Sequence, residues 1–255
     1  MSSSKIARSA LVQKRRLLGR GNYVEAGARL FGDVETGEGV HIDSNAVLYG
    51  PVRIGNHSYI GPNCVVGFPS SKELDELVAS HSVARKGLTV IGDNCIVRSG
   101  ATIYSNVVVG NDVSFGHNAV VRENVTIGGR SKFGTNAVVD GSSGIGRRVS
   151  VQTGVYICTY STIEDGVFLG PCCVFTNDRY MMQKPFKLIG PTVRKGASIG
   201  ANALLFPAIT VGEGAVVGSQ AMVNVDVPAR TIFAGIPAKK IGDLSDDWHS
   251  SLLGT

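Results

Sequence analysis

Along most of the chain an aliphatic or aromatic residue returns at every sixth position. Val24, Leu30, Thr36, Ile42, Leu48, Ile54, Ile60 and Val66 form one register. A second begins at Ile91 and runs through Val97, Ile103, Val109, Phe115, Val121 and onward to Phe175. It resumes in the same phase at Val193, Ile199, Leu205, Val211, Val217 and Val223. Four positions after each large apolar residue stands a small or β-branched one, such as Cys95, Ala101, Val107, Val113 and Ala119. A period of six suits neither an α-helix nor an alternating strand. It suits short strands joined by tight corners, with the large residue pointing inward and Gly or Asn taking the corner backbone. Three hexapeptides then close one three-sided coil of eighteen residues. Coils stack as parallel strands about 4.8 Å apart around one apolar prism. The spacing therefore predicts an all-β fold, a parallel β-helix. Its hand is not given by the spacing.

Two stretches break the pattern. Residues 67–90 shift the register by one, and "SSKELDELVASH" within them reads as a capped helical turn bulging from the prism. Residues 178–192 replace the repeat with Tyr180, Met181, Met182, Phe186 and a string of cations. A bare prism has no deep pocket. An irregular loop with apolar groups can wall off a cleft against a neighbouring subunit and exclude water from it. At the ends, residues 3–20 carry Ile6, Leu11, Leu17 and Leu18 among Arg and Lys and read as a helix covering the first coil. "DLSDDWHSSLL" reads as a short closing helix. The expected organisation is a helical cap over 1–22, the β-helix over 23–240 and a helical tail over 241–255.

Composition narrows the function. Charged residues make up 18% and hydrophobic ones 43%, so a large core is available. The net charge of +5 is mild, and no dense Lys/Arg stripe with interleaved aromatics suggests nucleic acid. No apolar run has the roughly 18 residues of a membrane span, and the basic N-terminus lacks the apolar run of a secretory signal. Five cysteines without paired spacing point to a reducing, cytoplasmic setting. Cys64, Cys95 and Cys173 hold inward small-residue positions and read as packing groups. Cys158 and Cys172 sit elsewhere but have no His placed to activate them.

Three segments go beyond the generic repeat: "IGDNCIVRSGATIYSNVVVGNDVSFGHNAVVREN", "VYICTYSTIEDGVFLGPCCVFTNDRY" and "ASIGANALLFPAITVGEGAVVGSQAMVNVDVPARTIFAGIPAKKI". Together they resemble the left-handed β-helix hexapeptide acyltransferases, and among these the N-acetyltransferases of thymidine-diphosphate-linked amino-dideoxysugars. The resemblance covers about residues 48–241. It implies a left-handed prism, a parallel homotrimer with sites between subunits, acyl-CoA along the C-terminal coils, no metal, and direct attack of a nucleotide-linked sugar amine on the thioester.

The coil period places candidate site residues. Eighteen-residue steps stack Ser105, Glu123, Gly141, Thr159 and Asn177, and beside them Asn106, Asn124, Ser142, Tyr160 and Asp178. This polar ladder ends where the irregular loop departs. Asn177 and Asp178 are the leading catalytic candidates, with Glu123, Thr159, Tyr160, Arg179 and Tyr180 on the acceptor. A carboxylate can hold an ammonium and orient the free amine, whereas a hydroxyl acceptor needs a stronger base. Asn-Asp is equally a common way to start a loop. His117 lies on an adjacent corner and is the alternative base, reached across a subunit interface. His41, His57, His81 and His249 carry no such context. Arg194, Lys195, Arg230, Lys239 and Lys240 are candidates for the coenzyme phosphates, and Ala201 and Ser219 for backbone contacts to the pantetheine arm. An O-acyltransferase using His117, a γ-type carbonic anhydrase and a non-catalytic scaffold are the competing readings.

Overall fold

The structure is a computed structural model that describes residues 4–80 and 87–253. Two compact units divide the chain, residues 1–125 and 126–255. Each is a parallel β-helix, and the fold is the left-handed hexapeptide type.

In the first unit the coils stack at the predicted interval. Ile96 pairs with Ser114, Thr102 with Val120 and Val90 with Val108. Most strands are only two residues long, the first facing outward and the second buried. Leu48, Ile60, Ile103 and Phe115 are wholly enclosed, and burial of each such side chain contributes roughly 1.5–3 kcal/mol. The corners need left-handed backbone. Asn residues supply much of it, at Asn94, Asn106, Asn118 and Asn124, because Asn tolerates positive φ better than most side chains. Outside the core, Phe31, Tyr49, Phe68 and Tyr104 form a ring-on-ring column.

The expected N-terminal helix is replaced by strand. Lys5–Ile6 and Leu11–Val12 are β-strands paired in parallel with Tyr23–Val24 and Arg29–Phe31. A 3-10 turn follows at Arg15–Leu17. Ile6, Val12 and Leu18 stand six apart and lead into Val24, so this segment continues the repeat. Pairing with the exposed edge of the next coil satisfies backbone groups that an end-capping helix would leave unpaired. The cap over 1–22 is thus β-helix over its described residues.

The first insertion does contain a helix, α1, Ser71–Ser80. Ser70 and Glu73 form a reciprocal cap. The Ser70 N–H and hydroxyl donate to Glu73 Oε2 at 2.7 and 2.8 Å. Ser105 Oγ donates to the same oxygen at 2.7 Å and ties α1 to the coil. The part of this insertion over 81–86, His81 included, lies outside the described residues.

In the second unit Lys132 pairs with Ser150 and Val138 with Tyr156, again one coil apart. Across the irregular loop the interval widens. Val174 pairs with Leu204, thirty residues on, where Tyr156 and Val174 are eighteen apart. The loop therefore adds twelve residues, two hexapeptides, and the phase survives. Inward Ser131, Ser143 and Ser161 are buried, with their hydroxyls donated to main-chain carbonyls.

The closing helix is also corrected. Lys239–Asp243 is a β-strand antiparallel to Thr231–Ala234, and only Ser251–Leu253 form a 3-10 turn. The last coil presents an open strand edge, and the returning chain fills it. Between these elements the Ser245 carbonyl closes a single turn with the Trp248 N–H at 3.1 Å, and both the Ser245 and Trp248 carbonyls also accept from Arg230.

Candidate active site

The irregular loop leaves the second unit at Asn177. Its Nδ2 donates to the Thr159 carbonyl one coil below, at 3.2 Å, and its own carbonyl accepts from the Ile189 N–H at 3.2 Å. The loop is thus pinned at both feet, with Ile189 in turn accepting from Ala208 N. The returning limb, Lys187, Leu188 and Ile189, lies beside Tyr160, and together they line a cavity of about 590 Å3. Tyr160 is 52% exposed and sits at φ +66°. Corners of the prism take this backbone repeatedly, at Arg148 and Cys172 as well, so it places Tyr160 on a corner beside the loop.

Asp178 closes the loop's first turn. Its Oδ1 accepts from the Tyr180 N–H and its Oδ2 from the Met182 N–H, both at 2.8 Å. These bonds favour the ionised form and hold its carboxyl below the usual carboxylate range. Asp178 therefore stays an anion at neutral pH, a weak base but a competent partner for a cation. Tyr180 packs edge-on against Phe186 and carries Lys184 over its ring at 3.8 Å. Met181, Met182 and Arg179 are exposed.

Glu123 and His117 belong to the first unit. Glu123 takes a two-pronged bond from Arg122, at 3.1 and 3.0 Å. It lines a polar recess of about 190 Å3 with Ser105, Asn106, Asn124 and the Ser70 and Glu73 of the helix cap. The stacking of Ser105 with Glu123 and of Asn106 with Asn124 is as the coil period requires, and Asn106 Nδ2 donates to Asn124 Oδ1 at 2.6 Å. His117 is exposed, and its Nδ1 lies 2.7 Å from Ser99 Oγ on the preceding coil. Nε2 makes no hydrogen bond or ion pair among the described residues. Ser99 escaped notice in the sequence, although it stands one coil before His117.

The coenzyme candidates fall on two corners of the second unit. Ala201 and Ser219 stack on one, joined by the Gln220 N–H to the Ala201 carbonyl at 2.8 Å. Arg194 and Lys195 occupy the corner before it, where Glu164 binds the Arg194 guanidinium at 2.6 Å and the Lys195 N–H at 2.9 Å. Lys195 also ends a shallow trough of about 420 Å3 floored by Thr126, Gly144 and Thr162. Arg230 is turned to the C-terminal tail. Lys239 and Lys240 lie on the antiparallel strand, with Lys240 paired to Asp243 at 2.6 Å.

The cysteines behave as packing groups. Burial pushes the Cys64 and Cys158 thiols up to about 11 and Cys173 to about 12. Cys95 is raised for the same reason. Cys172 alone of the five is exposed. Among the described residues no group of three His, Cys, Asp or Glu is arranged to hold a metal ion. No helix among them is long and apolar enough to cross a membrane.

Residues 33–67 and 89–123 match the family described as bacterial transferase hexapeptide (six repeats). A chloramphenicol acetyltransferase of Agrobacterium fabrum is 47% identical over 55 residues, 22% of this chain and 26% of that protein. A 2,3,4,5-tetrahydropyridine-2,6-dicarboxylate N-acetyltransferase of Enterococcus faecalis is 48% identical over 52 residues, 20% of this chain and 22% of that protein. The chain thus spans about a quarter of the length of these relatives. An Arabidopsis UDP-N-acetylglucosamine acyltransferase structure superposes with a TM-score of 0.61 at 17% identity, over 94% of this chain and 73% of that one. This last likeness is one of fold.

Proposed function

We propose that this chain is an acyl-CoA-dependent acyltransferase whose acceptor is the amine of a nucleotide-linked amino sugar. The observation that carries the reading is the loop pinned by Asn177 to the Thr159 carbonyl, whose returning limb lines a cavity of about 590 Å3 together with Tyr160. The hexapeptide match and the acetyltransferase names of the partial relatives support the acyl-transfer class.

In this reading the acceptor amine attacks the thioester carbonyl. The new N–C bond forms as the C–S bond breaks, and the proton shed by the nitrogen ends on the departing thiolate. Asp178 and Asn177 hold and orient the amine, and Thr159, Tyr160, Arg179 and Tyr180 bound the sugar. The thioester lies along the C-terminal coils, with Ala201 and Ser219 beside the pantetheine and Arg194, Lys195, Lys239 and Lys240 toward the phosphates, while Arg230, expected among them, is held by the Ser245 and Trp248 carbonyls of the tail. Leu188 and Ile189 leave apolar surface exposed at the cavity, and a second copy in a homotrimer covers it and supplies the missing wall.

The Ser99–His117 pair favours a second reading, O-acyl transfer with His117 Nε2 as base. Thiol release from acetyl-CoA, measured with amino and hydroxy forms of one nucleotide sugar, separates the two. Release with the amine alone supports N-transfer. Release with the alcohol alone overturns it.

A further inference from the structure

The C-terminal tail builds a second recess, lined on one side by Trp248, His249, Ser250 and Leu253. Arg230 donates to the Ser245 carbonyl at 2.7 Å and the Trp248 carbonyl at 3.2 Å. Ser250 Oγ donates to the Gly166 carbonyl at 2.7 Å, and Leu253 lies where a side chain at Gly166 would stand. These anchors strap the tail over a corner at which Gly196 and Gly214 adopt positive φ. A cavity of about 360 Å3 lies between strap and corner, within the range of small-ligand sites, about 300–1,000 Å3. Trp248 lines it and also a smaller cavity beside Ser198 and Val216. It is 51% exposed.

We propose that this recess is a nucleotide site: Trp248 stacks on the base, and Lys195 and His249 take the phosphate. The proposal rests on the reading that the substrates carry nucleotides. A half-exposed indole on an anchored segment offers a flat apolar face, and such stacking on a base contributes about 1–3 kcal/mol. The Lys195 ammonium makes no ion pair or hydrogen bond among the described residues, since Glu164 is bound by its main-chain N–H. His249 Nδ1 faces the Asp247 carbonyl at 3.0 Å, which leaves Nε2 free for an oxyanion. Glu213, also on the lining, can accept from ribose hydroxyls or an exocyclic amine. The Gly corner keeps side chains out of the floor, so a planar base can approach the backbone.

The chain has a single Trp, so its intrinsic emission reads this site alone. The test is titration of the intact protein with 3′,5′-ADP, the nucleotide end of coenzyme A, and separately with dTDP, the carrier of a nucleotide sugar. Saturable quenching by either supports the site, and the one that binds identifies its source. Lys195→Ala should weaken that binding about tenfold, and inorganic phosphate alone should leave the emission unchanged. Unchanged emission with both nucleotides at millimolar concentration overturns the proposal, as does quenching of equal strength in Lys195→Ala. Acyl transfer measured on the same samples keeps the two readings apart. Quenching without transfer leaves the recess standing and removes the proposed function; transfer without quenching does the reverse.

Discussion

At the scale of single residues, the large side chain set on the corner at Tyr160 and the carboxylate of Asp178 carry the local chemistry where the loop departs. In the second unit Ser142 and Tyr160 take the positive-φ backbone that Asn106 and Asn124 take in the first. Asn bears that conformation more easily than Tyr. Tyr160→Asn is therefore expected to raise stability by roughly 0.5–1 kcal/mol while raising the KM for the acceptor; chemical denaturation and steady-state kinetics read the two effects. Asp178→Asn is expected to cut kcat at least tenfold with coenzyme affinity nearly intact. Normal turnover in that variant removes Asp178 from the mechanism. The same carboxylate links the loop to pH. Its folded pKa is depressed, so the bonds to the Tyr180 and Met182 N–H groups are complete above the ordinary carboxylate pKa. They are lost as pH falls through the lower, folded value. Loop amide exchange at Tyr180 and Met182 should be pH-independent in its protection near neutrality and rise only in strong acid. Loss of protection near pH 6, roughly two units above a free Asp, would contradict this.

At the scale of elements, the tail and the irregular loop are held by a few directed bonds rather than by core burial. Arg230 fixes the tail through two carbonyls. Arg230→Ala should leave the coils folded, move the Trp248 emission toward that of a fully solvated indole, and make the chain beyond Leu244 sensitive to protease. An unchanged emission spectrum would show that Leu253 and Ser250 hold the tail without it. The helix α1 was readable in advance because Ser70 and Glu73 form a capping box in sequence. The N-terminal segment was misread for an equally local reason. Ile6, Leu11, Leu17 and Leu18 fit a helical face, while Ile6, Val12 and Leu18 fit the coil, and only the free edge of the neighbouring strand decides between them.

At the scale of the whole chain, the loop's length matters as much as its content. It lengthens one coil by two hexapeptides, so strands after it meet their partners in phase. Excision of residues 178–189, twelve in number, brings Val193 to six places after Phe175. That variant should unfold within a few degrees of the intact chain and lose acyl transfer. Removing nine residues instead displaces the following strands by half a hexapeptide, turns inward groups outward and should abolish cooperative unfolding. Comparable destabilisation by the two deletions would mean that the loop supports the fold.

The sequence by itself determined the coil, because one buried position in six and an eighteen-residue turn admit few other ways to hide so many aliphatic side chains. It likewise placed Cys64, Cys95 and Cys173 in the core, though not the equally buried Cys158, and located where the repeat is interrupted. Only the tertiary structure decided what the ends do, since an open strand edge recruits whatever chain lies near it. Tertiary structure also showed that Ser99 meets His117, that Glu164 holds Arg194 and that Arg230 serves the tail. Such partners are chosen by side-chain reach across coils and around corners, which a period along the chain does not encode.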